Sequence, residues 1–150
     1  MHKSFYASGI LYDINSQQIL LHQVITPFSK SCDMLGGENE EGEEPQITLQ
    51  RIIKDTLNIK IDEKEIIPVY DYFDDALNLV HYVLYVELKK IPEQALLNNN
   101  SMTWFTFKQT LKLPINKQTK QDLIVIQRVI NAEERKLEVH TKEDTDSINQ

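Results

Sequence analysis

A chain of 150 residues with a net charge of −7, 41% apolar and 26% charged side chains is long enough for one domain with its own core and has the composition of a soluble globular protein. Its acidity argues against a duplex nucleic acid partner, whose binding rests on neutralising phosphates. It does not exclude a small phosphorylated ligand, because a bound metal can supply the positive charge. One cysteine, Cys32, excludes an internal disulfide framework. No apolar run is long enough to cross a bilayer and the first residues lack the apolar core of a signal peptide, so no membrane partner and a cytoplasmic location are expected.

In chain order, Ala7–Tyr12 and Gln18–Val24 read as strands around a turn at Asp13–Ser16. The segment ITPFSKSCDMLGG follows as a loop with a short extended end. Pro45–Ile59 reads as a helix: Pro45 suits a first helical turn, Glu43 and Glu44 complement its dipole, and Leu49, Ile52, Ile53 and Leu57 form a buried stripe. Ile66–Asp75 and Asn78–Lys90, rich in β-branched and aromatic residues, read as a long hairpin turning at Asp74-Asp75-Ala76. Ser101–Phe107 is a further strand and KQTLKL one helical turn. Lys117 to about Leu137 is a helix with an apolar face at Leu123, Ile126, Val129 and Ile130. The whole reads as one α+β domain over residues 1–139, with residues 140–150 a disordered tail.

The stretch LGGENEEGEEPQITLQRIIKDTLNI, Leu35–Ile59, carries the chemistry. A Gly-rich loop allows backbone to approach phosphate, and a helix can present carboxylates at i, i+3 and i+4 on one face to hold magnesium, which takes hard oxygen ligands. Here those helix positions are Ile52, Asp55 and Thr56.

This stretch resembles the Nudix box of the MutT-like pyrophosphohydrolases, G-x5-E-x7-R-E-U-x-E-E-x-G-U with U apolar. Gly37 falls on the first glycine, Glu43 on the first glutamate, Arg51 on the arginine, and Ile53 and Ile59 on apolar positions, without a gap. Gly36, Glu40, Gly42, Pro45 and Leu57 fit the fuller form. The resemblance implies a Nudix-type α/β/α sandwich with a mixed central sheet, the box helix after the Gly-rich loop and a C-terminal helix. It also implies magnesium- or manganese-dependent hydrolysis of a nucleoside diphosphate linked to another moiety. Carried over by position, Asp55, Glu43 and Arg51 are the catalytic candidates. Gly36, Gly37, Glu40 and His81 are the ligand-binding candidates, and Asp55 with Glu40 the metal candidates.

The departures fall on the metal face. The family's glutamate after the arginine is Ile52, the next pair is Asp55 and Thr56, and the glycine near the end is Asn58, which can still form a left-handed cap. One helical carboxylate of three is left, and the loop before Trp104 adds none after Glu93. The expectation is that standard activity is weak or lost and that a nucleotide-like ligand or a partner is still bound. The alternative is an active hydrolase that recruits loop carboxylates, Glu40 among them, or Asp74 and Asp75, to Asp55. On their own chemistry, Glu43 and Arg51 form a bidentate brace of loop against helix, Asp74 and Asp75 a hairpin turn, and His81 a strand histidine on the face where the family holds its base. Cys32 and Ser31 have no His/Asp partner at motif spacing, which argues against nucleophilic catalysis. The long C-terminal helix offers a surface for a homodimer.

Overall fold

The structure, a computed structural model, describes residues 3–90 and 101–148, the side chains of 140–148 excepted. Seven strands form one sheet among the described residues: β1 Phe5–Asp13, β2 Gln18–Ile25, β3 Lys30–Asp33, β4 Leu35–Glu38, β5 Ile66–Asp74, β6 Leu79–Leu88 and β7 Met102–Thr106. The helices are α1 (Pro45–Leu57), the one-turn α2 (Phe107–Thr110) and α3 (Lys117–Ile148), with a short 3-10 turn at Glu63–Glu65. The path β3-β2-β1-β6-β5 forms the sheet's backbone, with β4 on β1 and β7 on β2. β1 and β6 run parallel and every other pair antiparallel, which gives the mixed sheet.

Side chains alternate across the strands, so each face of the sheet receives every second residue. On one face Ala7, Leu11, Leu20, Leu84 and Val86 meet Leu49, Ile53 and Leu57 of α1. On the other, Ile10, Ile19, Leu21, Val83 and Tyr85 meet Leu123, Ile126 and Ile130 of α3. The result is an α+β sandwich with a helix on each face of a mixed sheet, as the resemblance implies. Gly9 makes the first packing possible: a Cβ there would stand 2.5 Å from the Leu84 carbonyl oxygen and 2.7 Å from Leu49 Cδ2.

Three segments differ from the sequence reading. ITPFSKSCDMLGG, read as a loop with a short extended end, contains β3 and all but the last residue of β4. Lys-Ser-Cys-Asp and Leu-Gly-Gly-Glu have little strand propensity; they are extended because they pair with β2 and β1. α1 ends at Leu57, where Asn58 turns left-handed at φ 57° and donates its N–H to the Lys54 carbonyl. The helical backbone of α3 continues past Leu137 to Ile148, with no Gly or Pro between them to end it. β6 ends at Leu88, two residues before the Lys90 read from the sequence, and the acid-poor loop before Trp104 runs through residues 91–100, outside the described residues. No helix among the described residues is long and apolar enough to cross a membrane.

Candidate functional site

The Gly-rich loop and α1 are joined by a fork between Arg51 and Glu43. Arg51 Nε donates to Glu43 Oε2 at 2.8 Å and its Nη2 to Oε1 at 3.0 Å. Glu43 Oε1 also accepts the Glu40 backbone N–H and the Thr48 hydroxyl, and Arg51 reaches the Glu38 carbonyl at 3.1 Å. The Arg51 guanidinium, with these loop donors, pulls the Glu43 carboxyl down to about 2. Every acceptor on Glu43 is directed inward, so both residues act as the brace that holds the loop on the helix. Glu40 is exposed, 3.8 Å from Arg51 Nε.

The next turn of α1 presents a different surface. Ile52 is half-buried against the core, and a Cβ on Gly37 would touch its Cδ1 at 3.1 Å. The branched side chain therefore closes onto the glycine at the start of the box, where the family's pattern has a carboxylate. Asp55 is exposed and Thr56 half-buried. Among the described residues no three His, Cys, Asp or Glu side chains converge as a metal site. A hydrocarbon, a hydroxyl and one carboxylate do not fit the hard oxygen set that magnesium or manganese takes, so no catalytic step is assigned to a metal here.

β4 connects this region to a second one. Successive residues point to opposite faces, so Gly37 faces α1 while Gly36 faces away, where a Cβ would stand 2.8 Å from Ser8 Cβ and 2.9 Å from Tyr6 Cε1. Beyond Gly36 lies a cavity of about 240 Å³ between the sheet and the start of α3, lined by Tyr6, Ser8, Asp33, Asp74, His81 and Asp122, among others.

His81, on β6, is buried in the wall of this cavity. Its Nε2 lies 2.6 Å from Ser8 Oγ and its Nδ1 2.9 Å from the Tyr72 hydroxyl. Tyr72 donates its proton to Asp122 Oδ2 at 3.0 Å, so the Tyr72 oxygen can only accept from His81. Nδ1 therefore carries the hydrogen, an assignment that the Asp74 carboxylate 3.6 Å away favours, and Nε2 accepts from Ser8. Asp122, 1% exposed on α3, also accepts from Tyr70 and from Gln118 Nε2. Burial pushes the His81 pKa down, against the pull of Asp122, Asp74 and Asp33, and keeps the ring neutral. Burial and the Asp122 carboxylate push both tyrosines upward, so they stay protonated donors.

Of the residues singled out from sequence, Glu43, Arg51, Glu40, Gly37 and Asp55 lie around the loop and α1, whereas His81 lies on the opposite face with Gly36 between. Ser8, Asp33 and Asp122 were missed. A serine among the same-face residues Tyr6, Ile10 and Tyr12, and an aspartate in register with Ile126 and Ile130, were the available signals: polar residues on otherwise apolar stripes.

No family model and no curated protein matches the sequence. Solved structures do match the fold. A mutT/nudix family protein from Listeria innocua superposes with a TM-score of 0.65 at 16% identity, covering 89% of this chain and 97% of its own. The E. coli ORF135 protein gives 0.63 at 15% identity, covering 88% and 94%. The NUDIX domain of Shewanella oneidensis NrtR, complexed with ADP ribose, gives 0.64 at 14%, covering 87% and 90%. At these identities the likeness establishes the fold.

Proposed function

We propose that this chain, whose fold is that of the Nudix, MutT-like proteins, binds a nucleotide-like small molecule and has weak or no standard diphosphate hydrolysis. The observation that carries the reading is Ile52 against Gly37: an apolar side chain stands where a charged ligand would have to coordinate, and Thr56 and a lone exposed Asp55 do not replace it. A half-buried hydrocarbon cannot serve as a ligand to a divalent metal, which takes hard oxygen donors. The rest of the frame is kept. The Glu43–Arg51 brace shapes the Gly-rich loop, and β4, which carries Gly36 and Gly37, runs between that loop and the cavity. A ligand would lie across β4, with its phosphates at the loop and its base among Tyr6, His81 and Asp33. The NrtR domain complexed with ADP ribose supplies a probe of this class.

The test joins calorimetry with ADP-ribose to a hydrolysis screen over nucleoside triphosphates, dinucleoside polyphosphates and nucleotide sugars, each with magnesium and with manganese. Binding is expected without turnover above that of Asp55→Ala. Magnesium-dependent release of phosphate or nucleoside monophosphate that Asp55→Ala abolishes would establish the alternative, an active hydrolase using Asp55 with loop carboxylates such as Glu40.

A further inference from the structure

The cavity behind Gly36 holds more chemistry than a binding role requires. Hydrogen bonds run in one direction through four side chains from separate elements: Ser8 Oγ to His81 Nε2, His81 Nδ1 to the Tyr72 hydroxyl, and Tyr72 to Asp122. This is the order of groups that activates a serine: a hydroxyl on the unprotonated nitrogen of a neutral imidazole, with the other nitrogen held by an acceptor tied to a buried carboxylate. Asp74, 3.6 Å from Nδ1, adds a second carboxylate to stabilise an imidazolium. The same cavity is lined by two donors without a partner among the described residues, the Tyr6 hydroxyl and Asn116 Nδ2. Burial and the charges of Asp33, Asp74 and Glu38 keep the Tyr6 phenol protonated. The Asn116 Oδ1 accepts the Thr119 N–H, which fixes its amide in place and leaves the NH2 free.

We propose that Ser8 is the nucleophile of a second activity, hydrolysis of a small carboxylic ester bound in this cavity. Ser8 Oγ forms a bond to the carbonyl carbon as its proton passes to His81 Nε2. Tyr6 and Asn116 are the donors for the oxygen that becomes negative. The bond from carbon to the alcohol oxygen breaks, and the alcohol leaves with the proton from His81. Water then repeats the sequence on the acyl-serine, giving the free acid and restoring Ser8. Tyr72 and Asp122 are positioning residues, which hold the His81 tautomer. The cavity volume of about 240 Å³ admits a small acyl group, and Asp33 and Asp74 on its walls favour an ester whose other half carries N–H donors over an anionic one. This goes beyond the nucleotide reading: an acylated Ser8 can be observed whether or not a nucleotide binds, and nucleotide binding can stand without it.

The experiment treats the full chain with an alkyl fluorophosphonate and locates the adduct by peptide mass spectrometry. One adduct per chain on Ser8 is expected, at a rate that levels off once pH has risen through the His81 pKa. His81→Gln should lower the rate roughly 100-fold, the size of a lost general base. Tyr72→Phe should shift the pH profile, which a purely structural role for the hydroxyl would not do. Because Ser8→Ala removes the Nε2 partner and can weaken the fold, a second variant is used: in S8C, the new thiol should react with iodoacetamide faster than the buried Cys32. A folded wild type with no adduct on Ser8, or a thiol at position 8 that reacts no faster than Cys32, overturns the proposal and leaves the network as a pin between α3 and the sheet.

Discussion

The two faces of the sheet are held together by different forces. On the α1 face, contact is almost wholly apolar, with Leu49, Ile53 and Leu57 against Ala7, Leu11 and Leu84, and the polar brace sits at the rim. On the α3 face the apolar contact gives way, near the start of the helix, to a buried hydrogen-bonded cluster centred on Asp122 and His81. Apolar packing is non-directional and tolerates Ile52 as one more contact, at a position where the Nudix pattern has a carboxylate. A buried polar cluster is directional, and each member fixes the protonation and orientation of the next. The face that carries the recognisable motif is thus the one whose residues depart from the motif's pattern, while the face without a motif holds the buried polar cluster, and every buried polar side-chain atom among the described residues is partnered.

The sharpest way to break this contrast is Asp122→Ala. It strips one acceptor from Tyr70, Tyr72 and Gln118 at once. The expected loss is about 3 kcal/mol, from roughly 1–3 kcal/mol for each of the half-buried Tyr70 and Tyr72 hydroxyls left unpaired, while the exposed Gln118 turns to solvent, read as a drop in the urea midpoint. If the loss is under about 1 kcal/mol, the cluster is not what holds α3 to the sheet.

Arg51→Ala comes next, at about 2 kcal/mol, because it removes a charge-assisted fork that is partly open to solvent. The same brace makes stability depend on acid. The folded-state carboxyl of Glu43 sits at about 2 against an ordinary 4.5, so its contribution is fully present above pH 4.5 and is lost as pH falls from there towards 2. Urea titrations over that window should show a slope in the wild type that Glu43→Gln flattens; equal slopes would place the acid sensitivity elsewhere.

The smallest effect on stability, and the most informative for function, belongs to Ile52→Glu combined with Thr56→Glu. Both positions are half-buried at the rim, so the cost should be about 1 kcal/mol from lost apolar burial. Together with Asp55 they would restore three carboxylates to one helix face, and divalent-metal binding should appear by calorimetry where the wild type shows less. Unchanged metal binding would mean that the loop geometry, not the donor set, limits the site.

Much of the α1 half was legible in the sequence because its information is local. Residue spacings within one helix decide which side chains share a face, so Ile52, Asp55 and Thr56 could be placed from period, Glu43 and Arg51 from the resemblance to the Nudix box, and Asn58 could be read as a left-handed cap. β3 and β4 were not legible: four-residue segments of low propensity become strands only when a neighbour's backbone is free to pair with them.

What the sequence alone determined is the alternation in β1, β2 and β6 and the stripes on α1 and α3, each set by the side-chain period of one element, together with the resemblance of the Leu35–Ile59 stretch to a known box. What only the tertiary structure decided is the cluster behind Gly36. Ser8 and His81 are 73 positions apart and Tyr72 and Asp122 are 50, and their meeting depends on parallel pairing of β1 with β6 and on the placement of α3 across that face. Hydrogen bonds of that kind form between elements, at distances fixed to a few tenths of an ångström by packing, and no pattern along one element encodes them.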